Sequence, residues 1–201
     1  MQQSDIYPVF DKILRREDKE RLLRQNSKVV WFTGLSGSGK TTLARELEIR
    51  LNRNGYLTQI LDGDNIRSGI NSNLSFTETD RKENIRRIAE VTKLLINSGV
   101  ITINAFISPT HEIRRMAMNI IGKENFIEVY VSTPFEVCEQ RDTKGLYKKA
   151  REGKIINFTG LDSPFEPPEY PAVEVDTTHS TLNDSVEKIL KVVLPKITYW
   201  V

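Results

Sequence analysis

The sequence predicts one α/β domain of three layers, with helices on both faces of a mainly parallel sheet of about five strands. Apolar, β-branched runs alternate with segments of helical period along the chain. With 38% hydrophobic content, 201 residues are enough to bury one core and leave little for a second. No internal repeat or low-complexity tract interrupts the alternation. The strand-like runs are 28–33, 57–61, 100–107, 126–131 and 172–175. Leu43, Ala44, Leu47 and Leu51 form one helical stripe, and Val186, Ile189, Leu190 and Val193 form another. Thr133-Pro134-Phe135-Glu136 reads as a capping box with proline at the first helical position, and Pro109 is placed to open the helix after the third strand. Residues 1–27 are set apart as a helical extension outside the sheet, with a solvated face as the plainer reading of their charged stretch 15–24. Residues 28–201 form the main domain.

Charge excludes several function classes. Lys and Arg number 29 against 27 Asp and Glu, a net charge of +2, which does not suggest nucleic-acid binding. The opening MQQSDIYPVF lacks the apolar core of a signal peptide, and no apolar run approaches the ~20 residues that span a bilayer. No membrane partner is expected, and the reading places the protein in the cytoplasm. Cys138 is the only cysteine, so neither an intrachain disulfide nor a thiolate-built zinc site is available. Its expected role is a small buried hydrophobe.

The strongest chemical signal lies between the first strand and the first helix. Gly34, Leu35, Ser36, Gly37, Ser38, Gly39, Lys40 and Thr41 complete the pattern G-x-x-x-x-G-K-[ST], followed by Thr42. Glycines let backbone N–H groups curl around phosphate oxygens, and the helix N-terminus adds a favourable dipole. Lys40 is expected to reach the β- and γ-phosphates of ATP, and Thr41 to hold Mg²⁺ with Asp62. The pattern makes the fold class that of the P-loop NTPases.

The second strand ends in Asp62-Gly63-Asp64-Asn65. Strand C-termini in open α/β sheets face the ligand crevice, where paired carboxylates orient metal-bound water or accept a hydroxyl proton. The chain has no N-K-x-D segment for reading guanine. On the helix predicted over 77–98, Ile85, Ile88, Thr92, Leu95 and Ile96 share one face, which also takes in Arg81 and Asn84, whereas Arg86 and Arg87 fall outside it. An arginine and an asparagine on a buried stripe need an anionic or polar partner, either a protein carboxylate or a bound acid group. Residues 141–160 are expected to form a mobile basic lid: Arg141, Lys144, Lys148, Lys149, Arg151 and Lys154 with Gly145 and Gly153 can close over a nucleotide and exclude water, although a solvated basic helix reads equally well. Stretch 157–171 follows, with four prolines and with Phe158 and Phe165 offering aromatic faces for stacking.

These blocks together resemble one family closely, the adenylylsulfate (APS) kinases of sulfate assimilation. The resemblance runs from Val29 to Asp176 and rests on GLSGSGKTT, LDGDNIR, DRKENIRRIAEV, AFISP, VCEQRD, GLYKKAREG and FTGLDSPFEPPE. It implies ATP- and Mg²⁺-dependent phosphorylation of the 3′-hydroxyl of APS, giving 3′-phosphoadenylylsulfate (PAPS) and ADP, by a homodimer. A separate sulfate adenylyltransferase partner fits the same reading. Asp64, Asn65, Arg67, Arg81, Asn84 and Asn157 would hold the acceptor, with Phe76 and Phe158 stacking on its adenine, Lys144 contributing charge, and Ile107 and Ser108 lining the site. Lys40, Asp62, Asp64 and Ser108 form the implied catalytic set. Ser108 matches a serine proposed as a phosphoenzyme in this family, but P-loop kinases need only positioned in-line transfer, which argues against a covalent step. Ser68, Asn104 and Thr110 depart from commoner family choices. Two alternatives stand beside this reading: another small-molecule P-loop kinase, and a non-catalytic ATP-binding subunit of a sulfate-activation complex. Intact Lys40, Thr41, Asp62 and Asp64 speak against the latter.

Overall fold

The computed structural model describes Tyr7, Val9 and residues 12–200. Five parallel strands form one sheet in the order β2-β3-β1-β4-β5: β1 Val29–Thr33, β2 Thr58–Asp62, β3 Ile101–Ala105, β4 Phe126–Val131 and β5 Val173–Val175. Each matches an apolar run of the sequence to within two residues at either end.

Alternation along β1 splits the core in two, because successive strand side chains point to opposite faces. Val30 and Phe32 meet the helix α2 (Lys40–Arg53) through Leu43, Leu47 and Leu51, and α8 (Leu182–Ile197) through Val186, Ile189 and Val193. Val29 and Trp31 meet α4 (Glu78–Asn97) through Ile85, Ile88 and Ile96, and α5 (His111–Ile121) through Ile113, Ala117 and Ile121. Truncating one of these, such as Leu47 to alanine, costs about 2–5 kcal/mol. No helix among the described residues is long and apolar enough to cross a membrane.

Short elements complete the fold. These are α3 (Gly63–Arg67) after β2, α6 (Phe135–Arg141) after β4, and α7 (Leu146–Arg151) within the basic segment. At the opposite end of the sheet lies α1 (Arg16–Leu23). It is anchored through one face. Arg16 donates to Glu20 and Ser27 and, at 2.8 Å, to Asn125, while the buried Glu20 accepts from both the backbone and the hydroxyl of Ser27 at 2.6 Å.

Two expected helix starts are corrected. Pro134 caps α6 without a side-chain bond; Thr133 turns instead toward the phosphate loop, donating to Ser38 O at 3.1 Å, so the capping box does not form. Pro109 does not open α5. Thr110 caps that helix, accepting from Ile113 N at 3.3 Å, with His111 as the first helical residue. For α4 the sequence reading and the structure agree, since Thr77 caps it by accepting from Asp80 N.

Candidate active site

Every candidate group sits at or beyond the C-terminal ends of the strands, the ligand edge of an open parallel sheet. Residues 34–39 turn from β1 into α2. Gly34 has φ +150°, and a Cβ there would lie 2.6 Å from Val131 O; at Gly37, φ +75°, it would lie 2.9 Å from Cys138 O. Side chains are excluded at both points, so the backbone can form a close cradle. The first turn of α2 carries no acidic residue, leaving its positive dipole end free for an anion. These features fit the phosphates of a nucleotide.

Lys40 Nζ donates to Gly34 O at 2.9 Å and Leu35 O at 2.7 Å, arching over the loop. Burial pushes its ammonium down to about 8, against the opposing pull of Asp62. Thr41 Oγ1 donates to Asp62 Oδ2 at 2.8 Å, and the other oxygen of Asp62 accepts from Asp64 N at 3.1 Å, capping α3. A hydroxyl and a carboxylate so placed are the protein donors a phosphate-bound Mg²⁺ requires. Asp64 is exposed and ion-pairs with Lys144, which brings the basic segment to the carboxylates.

The acceptor-side groups cluster beyond α3. Arg67 donates to Leu74 O at 3.2 Å and Ser75 O at 3.0 Å, and its guanidinium lies 4.3 Å from the centre of the Phe76 ring. Arg81 donates to Phe76 O at 3.0 Å, to Thr159 Oγ1 at 2.8 Å and to Asn157 O. Neither arginine has a carboxylate ion-pair partner among the described residues. Burial and then the neighbouring Arg81 charge hold Arg67 below its usual range, and burial lowers Arg81. Two cations on neutral acceptors within range of each other make a site for an anion. Asn84 is buried on the same helix, as its place on the stripe predicts. Arg86 and Arg87 both pair with Glu83 instead. Asn65 is exposed beside Asp64, and Ser68 donates to its carbonyl at 2.8 Å.

Ser108 takes φ +38° and is 2% exposed. Its hydroxyl accepts from Trp31 Nε1 at 3.1 Å and donates to Thr33 Oγ1 at 3.1 Å; Thr33 in turn donates to the carbonyl of Ile107 at 2.7 Å.

The sequence profile described as "Adenylylsulphate kinase" matches residues 26–176. An "Adenylyl-sulfate kinase" from Bacteroides thetaiotaomicron is 63% identical over 196 residues, 98% of each chain. The chain belongs to the adenylylsulphate kinase family. The solved structure of the Mycobacterium tuberculosis APS kinase CysC in complex with AMPPNP and APS is 40% identical, with a TM-score of 0.81 over 84% of this chain and 98% of that one. A hexameric APS kinase from Thiobacillus denitrificans is 30% identical, with a TM-score of 0.65 over 86% of this chain and 30% of its own.

Family motifs and local geometry part company at the aromatic rings. Of the three expected to present faces, only Phe76 is exposed, at 60%. Phe158 is buried, edge-on to Tyr147 at 4.9 Å, and Phe165 stacks on Tyr130 at 6.1 Å. The basic segment is ordered by more than charge. Asp142 accepts from the N–H groups of Tyr147 and Lys148, and the Tyr147 hydroxyl donates to Ser36 O at 2.9 Å. Cys138 is buried and free, packed with Tyr147 and Phe158.

Sequence reasoning missed several supports of the site. Arg114, 3% exposed, donates to Ser108 O at 2.9 Å and Glu166 O at 2.7 Å, and lies 3.2 Å from Glu128. Its position on the buried stripe of α5 with Ala117 and Ile121 was the available signal. Thr177, after β5, donates to Ser38 O at 3.0 Å and accepts from Arg141 at 2.7 Å. No local pattern announces Thr177, because its partners are more than thirty residues away.

Proposed function

We propose that this chain transfers the γ-phosphoryl group of ATP to the 3′-hydroxyl of adenylylsulfate, giving PAPS and ADP. The observation that carries the reading is the pair of guanidiniums with no carboxylate ion-pair partner among the described residues, Arg67 and Arg81, of which Arg67 ends the helix α3 that Asp62 caps while Asp62 also binds Thr41 at the phosphate loop. A donor cradle and an acceptor anion site thus flank one carboxylate pair. The solved relative that holds AMPPNP together with APS supports the same division.

ATP supplies the phosphoryl group, and Mg²⁺, which Thr41 and Asp62 would hold, would neutralise charge on its phosphate oxygens. The cradle of residues 34–42 holds the phosphates, with Lys40 leaving its loop carbonyls for phosphate oxygens and Thr41 and Asp62 serving the metal. Both oxygens of Asp62 are engaged, which leaves Asp64 to orient the acceptor hydroxyl and take its proton as the 3′-oxygen attacks. Arg67, Arg81 and Asn84 bind the phosphosulfate, Phe76 stacks on the adenine, Phe158 supports the acceptor side from its buried place against Tyr147, and Asn65, Ile107 and Asn157 line the pocket. Ser108 positions the β3 loop, since its hydroxyl is buried and committed to Trp31 and Thr33. The lid of residues 141–160 closes with Lys144 at the carboxylates and excludes water.

We further place the enzyme in the cytoplasm as a homodimer, fed by a sulfate adenylyltransferase. A coupled ADP-release assay tests the function: adenylylsulfate should support turnover, and adenosine, AMP and gluconate should not. Turnover on gluconate with none on adenylylsulfate overturns it.

A further inference from the structure

Asn71 lies in the turn between α3 and α4, outside every motif named above, and is 0% exposed. Its side chain touches Asn84. The Asn71 Nδ2 donates to Asn84 Oδ1 at 2.9 Å and lies 3.4 Å from the backbone carbonyl of the same residue. An amide can be turned end for end without changing shape, so its direction must be read from its partners. Here the backbone carbonyl decides, because it can only accept. It demands the donor end of Asn71, and that donor in turn demands the oxygen of Asn84. No acceptor among the described residues takes the Asn84 Nδ2. The Asn71 Oδ1 is buried without a partner among the described residues. A buried unpaired acceptor is destabilising. An apolar residue of the same size would fill the turn without that cost, so packing alone does not account for an amide here.

We infer that Asn71 is a positioning residue for acceptor recognition: it fixes the Asn84 amide so that its donor end, and not its oxygen, addresses the oxygen atoms of the acceptor. The inference rests on the proposed function, in which Asn84 faces that acceptor. Reversed, Asn84 would set a carbonyl dipole against an anion and lose two donors.

Steady-state kinetics in adenylylsulfate and in ATP, with melting temperatures, on wild type, Asn71→Ala, Asn71→Asp, Asn84→Ala and the Asn71→Ala/Asn84→Ala double variant test it. Asn71→Ala should raise the adenylylsulfate KM about fivefold, the size of one lost neutral hydrogen bond, with the ATP KM unchanged. Asn71→Asp, which sets carboxylate oxygens against Asn84 and draws its donor end inward, should raise it at least as much. In the Asn84→Ala background the Asn71→Ala change should add nothing, because the amide to be oriented is gone. An equal factor in both backgrounds, a parallel rise in the ATP KM, or a lower melting temperature with normal kinetics overturns the inference. Loss of folding in both Asn71 variants overturns it too, since the residue is then structural. Wild type inactive on adenylylsulfate sinks the proposed function itself, whereas active wild type with unaffected variants sinks only the role of Asn71.

Discussion

Thr41 and Asp62, twenty-one residues apart in sequence, meet through a 2.8 Å hydrogen bond that joins the end of the phosphate loop to the end of β2. The contact places a hydroxyl and a carboxylate where a phosphate-bound cation needs them. Asp62→Asn keeps the shape and removes the charge. Turnover should fall about 10²-fold, as for loss of one preorganised electrostatic contact, and the Mg²⁺ needed for half-maximal rate should rise. A magnesium titration of the rate checks both, and unchanged magnesium dependence would remove Asp62 from the metal.

Lys40 makes the pH behaviour predictable in sign. Its folded value near 8 lies below the ordinary 10.5 because burial disfavours the charged form. Between those values the unfolded chain binds more protons than the folded one, so this group makes the nucleotide-free protein more stable as pH rises from about 8 to about 10.5. Anionic phosphates reverse the preference and favour the ammonium. Binding of a nucleotide near pH 8.5 should therefore take up a proton, seen by calorimetry in two buffers of different ionisation enthalpy. Lys40→Met should abolish that uptake and lower turnover at least ~10²-fold without unfolding the protein.

Arg81 separates substrate binding from structure. Because its partners are the neutral oxygens of Phe76, Asn157 and Thr159, removing it strands no buried carboxylate. Arg81→Ala should cost about 2–5 kcal/mol of acceptor interaction, with ATP affinity little changed. Asn84→Ala should cost nearer ~1 kcal/mol. A lower melting temperature with a normal adenylylsulfate KM would refute the assignment.

Thr177 pins the phosphate loop from behind. A carbonyl held at Ser38 turns the following N–H, that of Gly39, the opposite way, into the cradle. Thr177→Val keeps the volume and loses the hydroxyl. The ATP KM should rise about fivefold, in line with one hydrogen bond, while the adenylylsulfate KM holds; Thr177→Ser should restore it.

The proposed homodimer is checked by sedimentation. A dimer should be present at micromolar concentration, and monomer alone would withdraw that assembly.

Much of this molecule is local and therefore legible. The strands follow from β-branched runs, the cradle from glycines spaced around Lys40, and Arg81 and Asn84 from their place on the α4 stripe. Where the reading went astray, a long-range partner outbid a local one. Thr133 was free to cap α6 on sequence grounds, but Ser38 O and the Thr177 hydroxyl claimed its side chain. Phe158 and Phe165 had open faces until Tyr147 and Tyr130 covered them.

The sequence by itself determined the sheet, the two helical layers, the phosphate cradle and the chemical types gathered around it, because each depends on residues within a few positions of one another. Only the tertiary structure decided which way the groups point: Asn84 by Asn71, Ser108 by Trp31 and Arg114, the Ser38 carbonyl by Thr133 and Thr177. The reason is physical. A hydrogen bond is directional and short-ranged, so the orientation of a side chain is set by whichever donor or acceptor the fold brings within 3 Å or so, and no spacing along the chain encodes that partner.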